Sequence, residues 1–135
     1  MAHDVLIGGR KVAGVLSRAF PREGWAVLGI GVNAAVDVDA LPADLRARAG
    51  GLGHSPGDLE PLLDELLAAL ERRLQDPAGL VLAELRRRDA LRGRPVAWTG
   101  GRGTAAGLDD SGALVVDTEA GEVHLDAGEV HLRDV

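Results

Sequence analysis

The chain has no cysteine and no tyrosine, one phenylalanine, two tryptophans and one methionine in 135 residues. Without cysteine there can be no disulfide, no thiolate metal ligand and no cysteine nucleophile, and the usage fits a reducing cytoplasm. With aromatics at 2%, the core has to be built from Val, Leu, Ile and Ala, leaving Phe20, Trp25 and Trp98 as the large anchors. Positive charge is also in deficit. A net charge of -6 argues against a nucleic-acid partner, because phosphate binding needs clustered Lys and Arg with a positive balance. No apolar run reaches the ~20 residues needed to span a bilayer, so no membrane association is expected. The opening Met1-Ala2-His3-Asp4 lacks the basic stretch and apolar run of a secretory signal, and a cytoplasmic chain is the expectation. What remains, 46% apolar and 27% charged, is a globular composition long enough for one ordinary domain or two small ones.

Three short apolar segments open the chain: Val5 to Ile7, Lys11 to Arg18 and Trp25 to Val32. Gly8-Gly9-Arg10 and Pro21-Arg22-Glu23-Gly24 separate them at hairpin length, which predicts antiparallel strands. Residues 33–57 are rich in Gly, Ala and Asp, with a short helix predicted over Leu41 to Leu45. Leu59, Leu62, Leu63, Leu66, Leu67, Leu70 and Leu74 then recur by threes and fours, predicting one apolar helical face capped by Asp58. Asp76-Pro77 predicts a second helix start, with Asp76 as cap and Pro77 in the first turn, running to Arg88. Beyond Gly93 the pattern becomes that of a small all-β barrel: Pro95 to Thr99, Arg102 to Leu108, Ala113 to Asp117, Glu122 to Leu125 and Glu129 to Arg133. A domain boundary is expected at about residue 92, giving 1–92 and 93–135.

Lys11 lies in a strand two residues before Ala13-Gly14, where small residues allow a ligand close to the backbone. That suits a carboxylate or phosphate oxygen; the other reading is a solvated hairpin lysine. Gly29-Ile30-Gly31-Val32-Asn33-Ala34 spells the dinucleotide pattern G-x-G-x-x-A, but no β-α-β unit follows, and Pro42 and the Asp-rich stretch after Ala34 exclude a Rossmann turn. The glycines could instead keep a strand end open while the Asn33 amide bonds a ligand. Alternatively, Asn33 takes a left-handed turn conformation. Gly100-Gly101-Arg102-Gly103 reads as a hairpin turn rather than a phosphate cradle. His3, His54, His124 and His131 lack metal-ligand spacing, so no metal site is assigned. Arg86-Arg87-Arg88 complements a helix C-terminus and needs no ligand.

Asp4-Val5-Leu6-Ile7-Gly8-Gly9-Arg10-Lys11-Val12-Ala13-Gly14-Val15-Leu16 resembles the biotin protein ligase family, also called biotin-[acetyl-CoA-carboxylase] ligase. In that family a strand ending Asn-Asp-Val-Leu leads to a Lys-hydrophobic-Ala/Gly-Gly segment. Val27-Leu28-Gly29-Ile30-Gly31-Val32-Asn33 is similar to the family's Gly-hydrophobic-Gly-hydrophobic-Asn stretch, and Ala127-Gly128-Glu129-Val130-His131-Leu132-Arg133 resembles the end of its SH3-like C-terminal domain. The resemblance implies an α+β fold: part of a class II synthetase-like mixed sheet with helices, then a small SH3-like β-barrel. It also implies biotin and ATP as substrates with Mg2+, formation of biotinyl-5'-AMP, and transfer to a lysine of a biotin carboxyl carrier protein domain. By matching position, Lys11 would meet the biotin carboxyl and adjoining phosphate, Asn33 the adenosine side, and Gly14, Gly29 and Gly31 would shape the site. His3 stands where the family strand carries Asn.

The family's Gly-Arg-Gly-Arg-x-Gly-Arg loop and Lys-Trp-Pro-Asn segment have no counterpart here. The expectation is therefore a ligase chain inactive by itself, completed by an N-terminal half or by a homodimer partner. Its remaining strands should expose an apolar face and an unpaired edge. Two other readings stay open: a non-catalytic binding module of the same fold, and a relative of the lipoate-protein ligases.

Overall fold

A computed structural model describes residues 3–126 and 130–132. Among them run strands β1 (Asp4–Ile7), β2 (Arg10–Phe20) and β3 (Trp25–Val32), helices α1 (Ala43–Arg46), α2 (Leu59–Leu74) and α3 (Ala78–Arg87), and strands β4 (Pro95–Trp98), β5 (Gly101–Leu108), β6 (Leu114–Thr118), β7 (Gly121–Leu125) and β8 (Val130–Leu132). The chain divides into two compact units, Ala2–Leu70 and Glu71–Val135.

In the first unit, β1, β2 and β3 form an antiparallel sheet in chain order. Ile7 pairs with Arg10 across Gly8 and Gly9, whose φ values of 57° and 78° are those of a two-residue type I′ turn, a conformation open to glycine at low cost. At the far end Phe20 pairs with Trp25, and their rings stack at 4.0 Å. The register slips between Val5 and Leu6, so Val12 is an extra residue on β2 and is buried. The mixed character expected of this sheet reduces, among the described residues, to one parallel bridge between Lys11 and Ala49.

The helices start differently from the expected pattern. Asp58 directly precedes α2, but its carboxylate turns back to accept from the Ser55 amide at 2.8 Å and hydroxyl at 2.7 Å, closing a 3-10 turn over Pro56–Asp58. Those bonds lower the Asp58 pKa, the Ser55 hydroxyl contributing most. Pro77, not Asp76, is the residue before α3, and Asp76 instead accepts from Arg73 at 2.9 Å. Nor is the leucine stripe of α2 a single buried face. Leu62, Leu66 and Leu70 are half-buried, while Leu59, Leu63, Leu67 and Leu74 are exposed.

In the second unit the strands pair antiparallel in the order β7-β6-β5-β4-β8. All five begin and end within a residue or two of the expected segments; Glu129 and Arg133, at the ends of the last one, lie outside the described residues, as do Ala127 and Gly128. The sheet is open: among the described residues no ladder joins β7 to β8, so the expected closed barrel is not seen. Its core is Val96, Ala105, Leu114 and Val116, each at most 2% exposed, with Leu91, Trp98, Leu108, Leu125, Val130 and Leu132 packed around it. Trp98 and Gly101 flank a hairpin turn as a cross-strand pair, so of the Gly100–Gly103 run only Gly100 lies in the turn and Gly101, Arg102 and Gly103 begin β5. A Cβ on Gly101 would lie 2.6 Å from the Trp98 ring.

Candidate functional site

Asp4, Gly14 and Gly31 are cross-strand neighbours in one row of the first sheet, and Leu16 pairs with Gly29 in the row beside it. Residues two apart on a strand share a face, so three of the glycines singled out from sequence form one floor. Nothing lies within 4 Å of a Cβ built on Gly31, and only the Leu16 carbonyl oxygen, at 3.9 Å, lies near one on Gly29. No packing contact within the described chain therefore demands glycine at 31.

Lys11 stands at the rim of this floor. Its ammonium pairs with the Asp4 carboxylate at 2.6 Å, both side chains about half exposed. A Cβ on Gly14 would come within 3.3 Å of Lys11 Cε and 3.4 Å of Nζ, so the lysine arm lies across the bare Gly14 backbone. The backbone of Lys11 is fixed on both sides: its amide donates to Arg48 O and its carbonyl accepts from the Gly50 amide, each at 2.8 Å.

Asn33 is the staple of this arrangement. Its side-chain amide donates to the Lys11 carbonyl at 3.2 Å and to the Gly50 carbonyl at 3.0 Å, while its backbone amide reaches Val12 O and its carbonyl accepts from Leu52 N. The left-handed alternative for Asn33 is overturned, since no described residue other than glycine has a positive φ. The tertiary bonds, not a local turn, use this side chain. Its Nδ2 is engaged with backbone, which leaves Oδ1 as the group able to accept a hydrogen bond from a ligand.

A cleft of about 380 Å3 lies near the same strands, lined by Ile7, Arg10, Val12, Val36, Val38 and Gly51 among others. None of Lys11, Gly14, Gly29, Gly31 or Asn33 lines it. The floor lies outside this cleft, with Gly29 and Gly31 exposed and Gly14 half-buried. Sequence reading missed Asp4 as a partner of Lys11 and the segment Arg48 to Gly50 as the clamp on its backbone. One signal was available in composition: fourteen of the fifteen basic residues are arginine, and the single lysine is Lys11. Arginine and lysine are not interchangeable where a compact point charge is needed.

The second unit holds a separate ionic cluster. His124 on β7 bonds Asp109 through Nδ1 at 2.7 Å and Glu122 through Nε2 at 2.8 Å. Asp109 and then Glu122 raise the imidazole pKa above its usual 6.5, while the Ser111 hydroxyl and then His124 hold the Asp109 carboxyl well below the ordinary carboxylate range. The arginine run spends its charge internally: Arg87 and Arg88 grip Glu84, whose carboxyl falls to about 2 chiefly through the Arg87 bond, and Arg86 donates to Leu108 O and Asp110. Among the described residues no group of three His, Asp or Glu could hold a metal ion.

Residues 93–133 match the family described as Biotin protein ligase C terminal domain. The chain as a whole is similar to biotin protein ligases. It is 28% identical to the bifunctional ligase/repressor BirA of Bacillus spizizenii over a 134-residue alignment that covers 88% of this chain and 41% of that protein. Among solved structures it superposes on the biotin protein ligase of Aquifex aeolicus in complex with biotin and ATP with a TM-score of 0.73 and 25% identity, covering 98% of this chain and 60% of that one. The apo form of that ligase gives a TM-score of 0.72 at 24% identity, covering 96% and 62%. The chain therefore spans about two-fifths of the curated relative and three-fifths of the solved ones.

Proposed function

We propose that this chain is the part of a biotin-[acetyl-CoA-carboxylase] ligase that carries the lysine wall of the adenylate site and the terminal domain, with the functional division at 1–92 and 93–135. The observation that carries the proposal is Lys11, the chain's one lysine, fixed at the rim of a bare glycine floor in a sheet that matches a ligase solved with biotin and ATP. The named relatives are all of the biotin kind, which favours biotin over lipoate as the acid.

In the proposed reaction a biotin carboxylate oxygen bonds to the α-phosphorus of ATP and pyrophosphate leaves. The amine of a carrier-domain lysine then attacks the acyl carbon and AMP leaves. Both steps gather negative charge on oxygen, and positioning plus neutralisation is what a fixed ammonium supplies. Lys11 would contact the biotin carboxyl and adjoining phosphate. Gly14, Gly29 and Gly31 would let the ligand lie against the backbone, and Asn33 Oδ1 would accept from the adenosine side. The described residues offer no seat for Mg2+, so no step is assigned to it. The opposite wall would come from the remainder of the ligase, on a longer or a second polypeptide. The five-stranded sheet would serve as the SH3-like domain, and the site of action would be the cytoplasm, on a biotin carboxyl carrier protein domain.

Two measurements test this. Biotinyl-5'-AMP titrated into the chain should bind, and Lys11→Ala should weaken it at least about tenfold, as the loss of a charged contact would; equal binding by both would refute the assignment. Incubated with ATP, Mg2+, biotin and a carrier domain, the chain alone should give no biotinylation, and robust turnover would overturn the claim that a wall is missing.

A further inference from the structure

The residue that the proposed chemistry leaves unused is Asp4. It sits in the first strand, opposite Gly14, and its carboxylate is 2.6 Å from Lys11 Nζ. A half-exposed ion pair of this kind adds little to stability, so its contribution has to be looked for elsewhere. Three features converge on orientation. The extra residue Val12 sets Lys11 opposite Leu6, where the register of Asp4–Gly14 and Val5–Ala13 carried on unbroken would set it opposite Ile7, and so brings it to the rim above Gly14. Gly14 has no Cβ, and one built there would lie 3.3 Å from Lys11 Cε, so the bare backbone leaves room for the lysine arm to cross it. The Lys11 backbone is held from both sides by Arg48 and Gly50, so only the side chain is left to be directed. A lysine has four rotatable bonds, and confining them at the moment of ligand capture costs affinity unless they are already confined.

We propose that Asp4 is a positioning residue that holds the Lys11 ammonium over the Gly14 backbone, pre-oriented for the anionic acyl-phosphate group of an adenylate. The inference rests on the ligase reading of this surface. It makes a prediction of sign. A carboxylate that was merely nearby would repel an anion, so removing its charge would tighten adenylate binding. A carboxylate that positions the lysine does the reverse, and its removal weakens binding.

The chain's single lysine makes the test direct, because 15N-lysine labelling gives one Nζ signal. Wild type, Asp4→Asn, Asp4→Ser and Asp4→Glu would each be titrated with biotinyl-5'-AMP, with the backbone amide spectrum recorded alongside. In wild type the adenylate should move the Nζ signal. Asp4→Asn should keep the backbone spectrum and need roughly five to ten times more adenylate for half the shift, the cost of ordering a freed lysine. Asp4→Glu should restore most of the affinity, which a merely structural role would not require. If Asp4→Asn disturbs the backbone spectrum, Asp4→Ser is read in its place. Equal or tighter binding by the charge-removed variant overturns the positioning role while leaving the ligase reading intact. A wild-type Nζ signal that millimolar adenylate does not move refutes the ligase reading of this surface, and the positioning role with it.

Discussion

At Asn33, two backbone carbonyls from different segments converge on one amide nitrogen. Replacing it by alanine takes one of two donors from the Lys11 carbonyl, which keeps the Gly50 amide, and removes the side-chain donor to the Gly50 carbonyl, and should destabilise by about 1–2 kcal/mol. Aspartate, almost the same size, can only accept when ionised, so it would set a charge against two carbonyl oxygens. Asn33→Asp should therefore be worse than Asn33→Ala in denaturant unfolding at neutral pH; the opposite order would show that the staple is not what holds this corner. Gly31 is the counterpart case. A methyl group there meets nothing, so Gly31→Ala should leave stability unchanged or raise it by about 0.5 kcal/mol while reducing adenylate affinity. A loss of stability in thermal unfolding would mean that packing, not ligand access, requires the glycine. Much of the candidate site was legible at this scale. Lys11, Gly14, Gly29, Gly31 and Asn33 could be chosen from local pattern and resemblance, and the structure gathers the three glycines on one face with Lys11 at its rim and Asn33 at its end. Asp4 and the Arg48–Gly50 clamp were not legible, since their roles depend on a strand register and a return of the chain from some 37 residues away, which no local pattern encodes.

Strands were easier to read than helix starts, for a physical reason. A hairpin is fixed by a few adjacent residues, so Gly8-Gly9 and Gly100 announce their turns. A helix cap is chosen among competing oxygens: Asp58 is drawn back to Ser55 and Asp76 to Arg73, each neighbour offering the carboxylate a donor. The terminal sheet depends on similar local chemistry at the β5–β6 turn, where Asp109 accepts from Ser111, Ala113 and His124. The imidazolium holds β7 to that turn. His124 has a raised pKa, so its contribution is full below about 6.5 and is lost as pH rises through the folded value. Asp109 has a lowered pKa, so its contribution is present above the ordinary 3.8 and is lost on acidification. Unfolding midpoints should therefore fall from pH 6 to 8.5 in wild type, and His124→Gln should flatten that decline; an unchanged slope would show that the imidazolium does not clamp β7. Packing contributes more to the stability of this unit than the ionic cluster does. Leu114 is 2% exposed in its core, and Leu114→Ala should cost about 2–4 kcal/mol, read from denaturant midpoints.

The chain exposes 9933 Å2 for a mass of 14.0 kDa. Scaling from folded monomers gives about 6,700 Å2 for one globule of this mass, and about 8,100 Å2 even for two separate globules of half the mass. The excess has an address. Among the described residues up to Leu70 only Val12 and Ala34 are buried hydrophobics, whereas Leu16 is 76% exposed, Val27 54% and Trp25 51%. Leu16 and Val27 lie on the glycine-floored face by strand alternation, and β1 and β3 each have one edge without a strand partner among the described residues. Such a surface is an association hazard in water, as the sequence pattern of these short strands also predicts. The chain alone should bind a hydrophobic dye and self-associate with rising concentration. Leu16→Thr combined with Val27→Thr should reduce both, since threonine is β-branched, which suits a strand, and puts a hydroxyl in place of apolar surface. Sedimentation of the paired variant at matched concentration checks this: an unaltered association constant would show that another surface drives contact. If the proposed missing wall of the ligase covers this face, adding that segment should suppress dye binding in the wild type and change little in the double variant.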